Sequence, residues 1–137
     1  MSDCLFCRVV ENAVPSYTVY EDGFTRAFLD IMPSVPGHVL VILKKHGATI
    51  LDYTPEELTY LMGTVQIVLK ALEKTFGTKV YTIGINHGEP SGVHHLHVHL
   101  LPRFSDDRGD IIQSIVHKEP EEDLKTITEK IKKNINA

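Results

Sequence analysis

Between His95 and Leu101 the chain reads HLHVHLL, an alternation of imidazole and aliphatic side chains. A helix, with its period of 3.6, would scatter these histidines around its axis. A strand, with a period of 2, puts His95, His97 and His99 on one face and Leu96, Val98 and Leu100 on the other. The fold must therefore hold a strand with an apolar side to bury and a second side carrying imidazoles about 6.5–7 Å apart. The plain reading is a polar edge facing water, but such positions usually carry Thr, Lys or Glu. Two chemical readings stand beside it: a metal site, or chemistry at phosphorus. Neutral imidazole is a good nucleophile near neutral pH because its ordinary pKa is about 6.5. A protonated neighbour can stabilise charge on phosphate oxygens and protonate a leaving group.

The rest of the chain supplies a sheet and helices around that strand. Thr18–Glu21 and Thr25–Leu29 flank Asp22-Gly23 and read as a hairpin, and His38–Leu43 reads as a strand buried on both sides. Thr54, Pro55 and Glu57 form a helix start with a capping box. Leu58, Leu61, Met62, Val65, Val68, Leu69 and Leu72 continue it at helical spacing until Gly77. A strand over Val80–Asn86 precedes the histidine strand, taken as His95 to about Arg103. Pro120 opens a last helix in which Leu124, Ile127, Ile131 and Ile135 form a narrow stripe. The order β-β-β-α-β-β-α predicts a single α+β domain over 1–137, with an antiparallel sheet and a helix packed on it. Val65, Val68, Leu69 and Leu72 offer apolar surface beyond what one sheet needs, which predicts a homodimer.

Composition narrows the function classes. The net charge of −4 argues against general binding to nucleic acid. The longest apolar run, Val39–Leu43, is far too short to span a membrane. The N-terminus MSDCLFCRVVEN has no basic region followed by an apolar stretch, so the expected compartment is the cytoplasm. There the C-x-x-C of Cys4 and Cys7, the only cysteines, points to a metal or to redox chemistry more than to a structural disulfide. A tetrahedral zinc needs two more ligands, and His46 and His95 are the candidates. Unligated thiols are the alternative. A thioredoxin-like role expects a βαβ context that this order of elements lacks.

His95-Leu96-His97-Val98-His99-Leu100-Leu101 resembles the H-φ-H-φ-H-φ-φ signature of the histidine triad (HIT) family of nucleotide hydrolases and transferases. Tyr20-Glu21-Asp22, Ala27-Phe28-Leu29-Asp30, Pro36-Gly37-His38, Leu43-Lys44-Lys45-His46 and Asn86-His87-Gly88 follow in the family's order. The likeness is closest to the Hint-like branch, in its bacterial form with an N-terminal C-x-x-C. It implies a five-stranded antiparallel sheet with one long helix, assembled as a homodimer. It implies that His97 attacks the α-phosphate of a purine nucleotide, with His99 and His38 lining the phosphate site. Asp30 would take the ribose hydroxyls, and Leu5, Phe6, Phe28 and Ile31 would enclose the base. Asn86 and the backbone at Gly92 and Val93 would contact phosphate. Cys4, Cys7, His46 and His95 would hold a structural zinc. The implied reaction releases a nucleoside monophosphate from an amine, acyl or phosphate partner. Alternatives are a dinucleoside polyphosphate hydrolase and a zinc-containing nucleotide-binding adaptor with little turnover. A cupin-like metal enzyme would need a carboxylate near the histidines, and the nearest acids after the strand, Asp106 and Asp107, lie beyond a turn. One departure stands out. Family members usually carry Gln-Ser or Gln-Thr between the glycine and the valine that here adjoin as Gly92-Val93.

Overall fold

The computed structural model describes residues 3–88, 90 and 92–135. Its sheet has five antiparallel strands: β1 (Thr18–Glu21), β2 (Thr25–Leu29), β3 (Val39–Leu43), β4 (Tyr81–Gly84) and β5 (His97–Pro102). Their order in space is β1-β2-β3-β5-β4. Every side chain of β3 is buried, as expected of a central strand covered on both faces. The hairpin turn is closed by Asp22, whose Oδ1 accepts the Phe24 and Thr25 N–H groups, each at 2.8 Å.

One face of the sheet is covered by helix α2 (Pro55–Phe76). Its start follows from the sequence: Thr54 Oγ1 accepts the Glu57 N–H at 3.2 Å, and the Glu57 carboxylate accepts the Thr54 N–H at 2.9 Å. Gly77 ends it with a φ of 71° and donates its N–H to the Glu73 carbonyl. Leu61, Val65, Val68 and Leu72 pack from α2 onto Ala27, Val39, Val41, Val98 and Leu100. The sheet and helix also meet through a buried hydrogen bond of 2.6 Å between Thr25 and Thr64 hydroxyls. Gly37 allows the close approach of the far end of α2. Its φ is 82°, and a Cβ there would lie 2.4 Å from the Phe76 ring.

The opposite face carries a smaller core of Phe6, Val9, Phe28, Leu40 and Ile42. It lies under α1 (Leu5–Val10), a helix that the sequence reading did not anticipate. Leu40 is the register partner of His99, and Ile42 of His97. The imidazoles of β5 therefore share a face with this smaller core, while Val98 and Leu100 point to α2. Arg26, only 5% exposed, ties α1 to β2. Its guanidinium donates to the Val9 carbonyl and, at 2.9 Å each, to Asn12 Oδ1 and Glu21 Oε2.

Several boundaries differ from expectation. The histidine strand begins at His97 instead of His95, because the Leu96 N–H turns away to the Gly47 carbonyl at 2.8 Å. β4 is shorter than Val80–Asn86, and His38 precedes β3. Helix α3 spans Leu124–Ile135, not a segment opened by Pro120. Asp123 supplies the cap, accepting the Thr126 N–H at 2.7 Å. The surplus apolar face assigned to α2 does not exist as drawn, since Val65, Val68 and Leu72 are consumed by the core. Exposed apolar residues lie elsewhere, at Met62 and Ile67 of α2 and Ile83 of the edge strand β4. No described helix is long and apolar enough to cross a membrane.

Arg26→Ala leaves the Val9 carbonyl, Asn12 and Glu21 without this donor. The expected loss in urea unfolding is about 2–3 kcal/mol. A loss below about 0.5 kcal/mol would show that α1 is held without it.

Candidate functional site

The histidines cluster around Phe6. Its ring meets His97 edge-on at a centroid distance of 5.1 Å, Phe28 at 5.3 Å and His95 at 6.1 Å. His97 and His99 are 5.0 Å apart, ring to ring. Register explains the arrangement. β5 carries His97 and His99 two residues apart on one face, and α1 lays Phe6 across them.

Hydrogen bonds fix which nitrogen of each ring carries a proton. His97 Nδ1 lies 2.7 Å from the His95 carbonyl. A carbonyl only accepts, so Nδ1 bears the proton and the neutral ring keeps its lone pair on Nε2. At His38 the roles are set from the other side. The Ser34 N–H donates to Nδ1 at 3.1 Å, which puts the proton of the neutral ring on Nε2. That N–H donates to His99 Nδ1 at 2.8 Å. The proton of neutral His99 must then sit on its Nε2. Among the described residues that nitrogen is buried with no hydrogen-bond partner. Both rings are held neutral by burial. It pushes the His99 pKa down to about 4, helped by the neighbouring His97 and His38. It also lowers His38, against the opposing pull of Asp30. The two neighbouring rings thus carry opposite tautomers, with the proton on Nδ1 in His97 and on Nε2 in His99.

These rings open on a cavity of about 310 Å³. Leu5, Phe6, Phe28, Asp30, Ile31, Asn86, Gly92, Val93, His97 and His99 all line it, so the structure gathers the residues singled out in the sequence as a nucleotide site. His38 joins them through its bond to His99. Asp30 Oδ1 accepts the Met32 N–H at 2.9 Å, while Oδ2 lies 3.6 Å from His38 Nε2. Gly92 has a φ of 99° immediately before Val93, a left-handed conformation that suits glycine. The sequence reading missed Val9, Val14, Pro15 and Met32, which extend the apolar wall. For Val9 the signal was its spacing from Leu5 and Phe6 on one side of a short helix. A second cavity, of about 270 Å³, adjoins the first at Asn86, Val93 and His97.

Cys4, Cys7, His46 and His95 form a separate group whose donor atoms lie within 4.8 Å of one another. Cys7 Sγ is 3.3 Å from His46 Nδ1 and 3.5 Å from His95 Nδ1. Cys4 Sγ is 3.5 Å from His95 Nδ1, and the two Nδ1 atoms are 3.3 Å apart. Tetrahedral zinc with ordinary bond lengths has edges of about 3.6 Å between S and N and about 3.3–3.4 Å between two N atoms. These four distances fit that figure. His95 Nε2 donates to the Leu43 carbonyl at 2.7 Å, leaving the Nδ1 lone pair for a metal. The loop bearing His46 is tied by the Tyr53 hydroxyl, which donates to the Lys45 and Gly47 carbonyls. Asp30, His38 and His99 also lie close together. Their 2.8 Å nitrogen pair is a hydrogen bond, too short for one edge of a tetrahedral metal site.

A five-stranded antiparallel sheet with a triad of alternating histidines defines a class of proteins, and the comparisons agree on which. Residues 11–106 match the HIT domain family, and the chain belongs to it. It is 35% identical over 111 residues to the adenosine 5'-monophosphoramidase HNT1 of Saccharomyces cerevisiae, covering 80% of this chain and 68% of that one. Among solved structures it is similar to SMU.412c from Streptococcus mutans UA159, with 39% identity, a TM-score of 0.87, and coverage of 98% of this chain and 87% of the other. It is also similar to a Zn-bound histidine triad family protein from Mycobacterium smegmatis, with 32% identity, a TM-score of 0.72, and coverage of 77% and 78%. The family match begins after Cys4 and Cys7, so the metal group joins a segment outside it to the family's own strand.

The buried imidazoles give a pH signature. His38 and His99 have pKa values below the unfolded value of about 6.5. The unfolded chain therefore binds more protons as pH falls from 6.5 toward 4, and stability drops through that window. Urea midpoints measured across it are expected to decline, and His99→Gln is expected to flatten the decline. An unchanged slope in the variant would contradict the neutral, buried state of His99.

Proposed function

We propose that this chain hydrolyses nucleotides in which a purine nucleoside monophosphate is joined to an amine, acyl or phosphate leaving group. The observation that carries the proposal is two neighbouring rings of fixed tautomer that line one apolar cavity: His97 with its proton on Nδ1, and His99 with its proton on Nε2. His97 Nε2 attacks the α-phosphorus, and its bond to phosphorus forms as the bond to the leaving group breaks; the leaving group departs with the bonding pair and takes a proton from solvent. His99 Nε2–H, buried as the structure stands, donates to a phosphate oxygen once its ring turns toward the cavity, and so stabilises the charge that builds there. Water then attacks phosphorus and gives up a proton to solvent as the bond from phosphorus to Nε2 breaks, which releases the monophosphate and returns the lone pair to His97. Leu5, Phe6, Phe28 and Ile31 hold the base, Asp30 accepts from the ribose hydroxyls, and Asn86 with the Gly92 and Val93 N–H groups contacts phosphate. The second cavity, which meets the first at His97, offers room for the leaving group.

Cys4, Cys7, His46 and His95 hold zinc as a structural ion in this reading. When bound, the ion clamps the N-terminal helix to the sheet, and its closed set of four protein donors leaves it no position for substrate. The active assembly is a homodimer, formed through surface other than the buried stripe of α2. Metal analysis of protein purified without chelator is expected to give near-stoichiometric zinc, and sedimentation equilibrium at micromolar concentration a dimer. Absence of zinc, or a monomer, would remove the corresponding part of the proposal.

The decisive experiment compares AMP-lysine phosphoramidate with diadenosine polyphosphates, for wild type and His97→Ala. Turnover of the phosphoramidate is expected to fall by roughly 10³-fold or more in the variant, with AMP binding retained. A variant that kept a tenth of the wild-type rate would refute His97 as nucleophile. Faster cleavage of the polyphosphates by wild type would reassign the substrate.

A further inference from the structure

Helix α1 has six residues, too few to be stable alone. It carries two kinds of side chain for two different places. Cys4, its cap, and Cys7, in its first turn, belong to the metal group. Leu5, Phe6 and Val9 form part of the wall of the cavity beside His97 and His99. Phe6 sits between the two sites, 7% exposed, with its ring against His95 of the metal group, His97 of the triad and Phe28 of the cavity wall. His95 makes the same connection through the backbone, since its ring joins the metal group while its carbonyl accepts the His97 Nδ1–H. The two sites therefore share Phe6 and His95.

We infer that metal occupancy and nucleotide binding are positively coupled in this chain through Phe6. Zinc on the four donors holds α1 in place and so keeps the apolar wall closed over the base. A nucleotide filling the cavity presses on Phe6 and holds α1 where the two thiolates meet the two imidazoles. The inference rests on the reading of the cavity as a nucleotide site and adds to it a linkage between two ligands that do not touch. Linkage is reciprocal, so whatever factor zinc adds to AMP affinity, AMP must add to zinc affinity.

The test measures the zinc dissociation constant by competition with a chromogenic chelator, with and without saturating AMP, in wild type and in Phe6→Ala. Couplings of this kind are worth about 5–150-fold. Wild type is expected to bind zinc about 10-fold more tightly with AMP present, and Phe6→Ala, which also loses a contact to the base, to lose most of that shift even with AMP raised to saturate the variant. If Phe6→Ala does not fold, Phe6→Leu takes its place, with AMP raised to saturation for that variant. AMP binding that leaves zinc affinity unmoved in wild type would overturn the linkage alone. A full shift in the Phe6 variant would overturn its route through Phe6. Failure of AMP to bind zinc-loaded protein would overturn the nucleotide reading and the linkage with it. Amide exchange gives a readout independent of either affinity. Removing zinc is expected to speed exchange at the Arg8 and Glu11 amides, which bond to the Cys4 and Cys7 carbonyls, while the Val41 and Val98 amides stay protected. Equal protection of α1 with and without zinc would contradict the clamp.

Discussion

The site depends on how His95 is held. Its Nε2 donates to the Leu43 carbonyl, its Nδ1 faces two sulfurs and a second imidazole, and its own carbonyl accepts the proton of His97. Each bond removes a choice. The first fixes the ring tautomer, the second commits the ring to the metal group, and the third keeps the His97 lone pair on the nitrogen away from the backbone. At 1% exposure the ring has no room to find another arrangement. A buried imidazole with an unmet donor or acceptor would cost about 1–3 kcal/mol, so the local geometry is strongly determined.

The same logic runs along the other side of the cavity. A backbone N–H at Ser34 decides the tautomer of His38, and His38 decides that of His99. Burial keeps both rings neutral, which makes the chain of donors directional: it ends in an N–H at His99 that has no acceptor within the described residues. A buried donor with no acceptor is costly until one arrives, and in the proposed reaction that acceptor is a phosphate oxygen. Two backbone groups, the Ser34 N–H and the His95 carbonyl, thus set the proton positions of three histidines.

Much of this was legible in the sequence wherever a short-range rule governed it. Alternation placed His97 and His99 on one face of a strand, Asp22-Gly23 marked the hairpin, and Thr54, Pro55 and Glu57 marked the helix start. The rules failed where tertiary structure competed with them. Six residues of α1 are under two turns, too short for periodicity to separate from an irregular N-terminus. Leu96 spends its N–H on Gly47 and so delays the strand. Asp123 caps the last helix in preference to Pro120. Val65, Val68 and Leu72 read as surplus because nothing in the sequence reveals how much of α2 the sheet can cover. The His38–His99 bond joins residues 61 apart and has no sequence signature of its own. The C-x-x-C named two candidate metal ligands, and only the fold shows His95 within 3.5 Å of both and His46 within 3.3 Å of Cys7.

A bond between His97 and phosphorus during turnover can be trapped. Protein mixed with AMP-lysine phosphoramidate would be quenched in alkali within the first turnover, digested and analysed by mass spectrometry. The expected result is a transient nucleotidyl group on His97 that appears before product and decays as AMP is released. Product formed at the full rate with no adduct, or with the adduct on His38 or His99, would contradict the account.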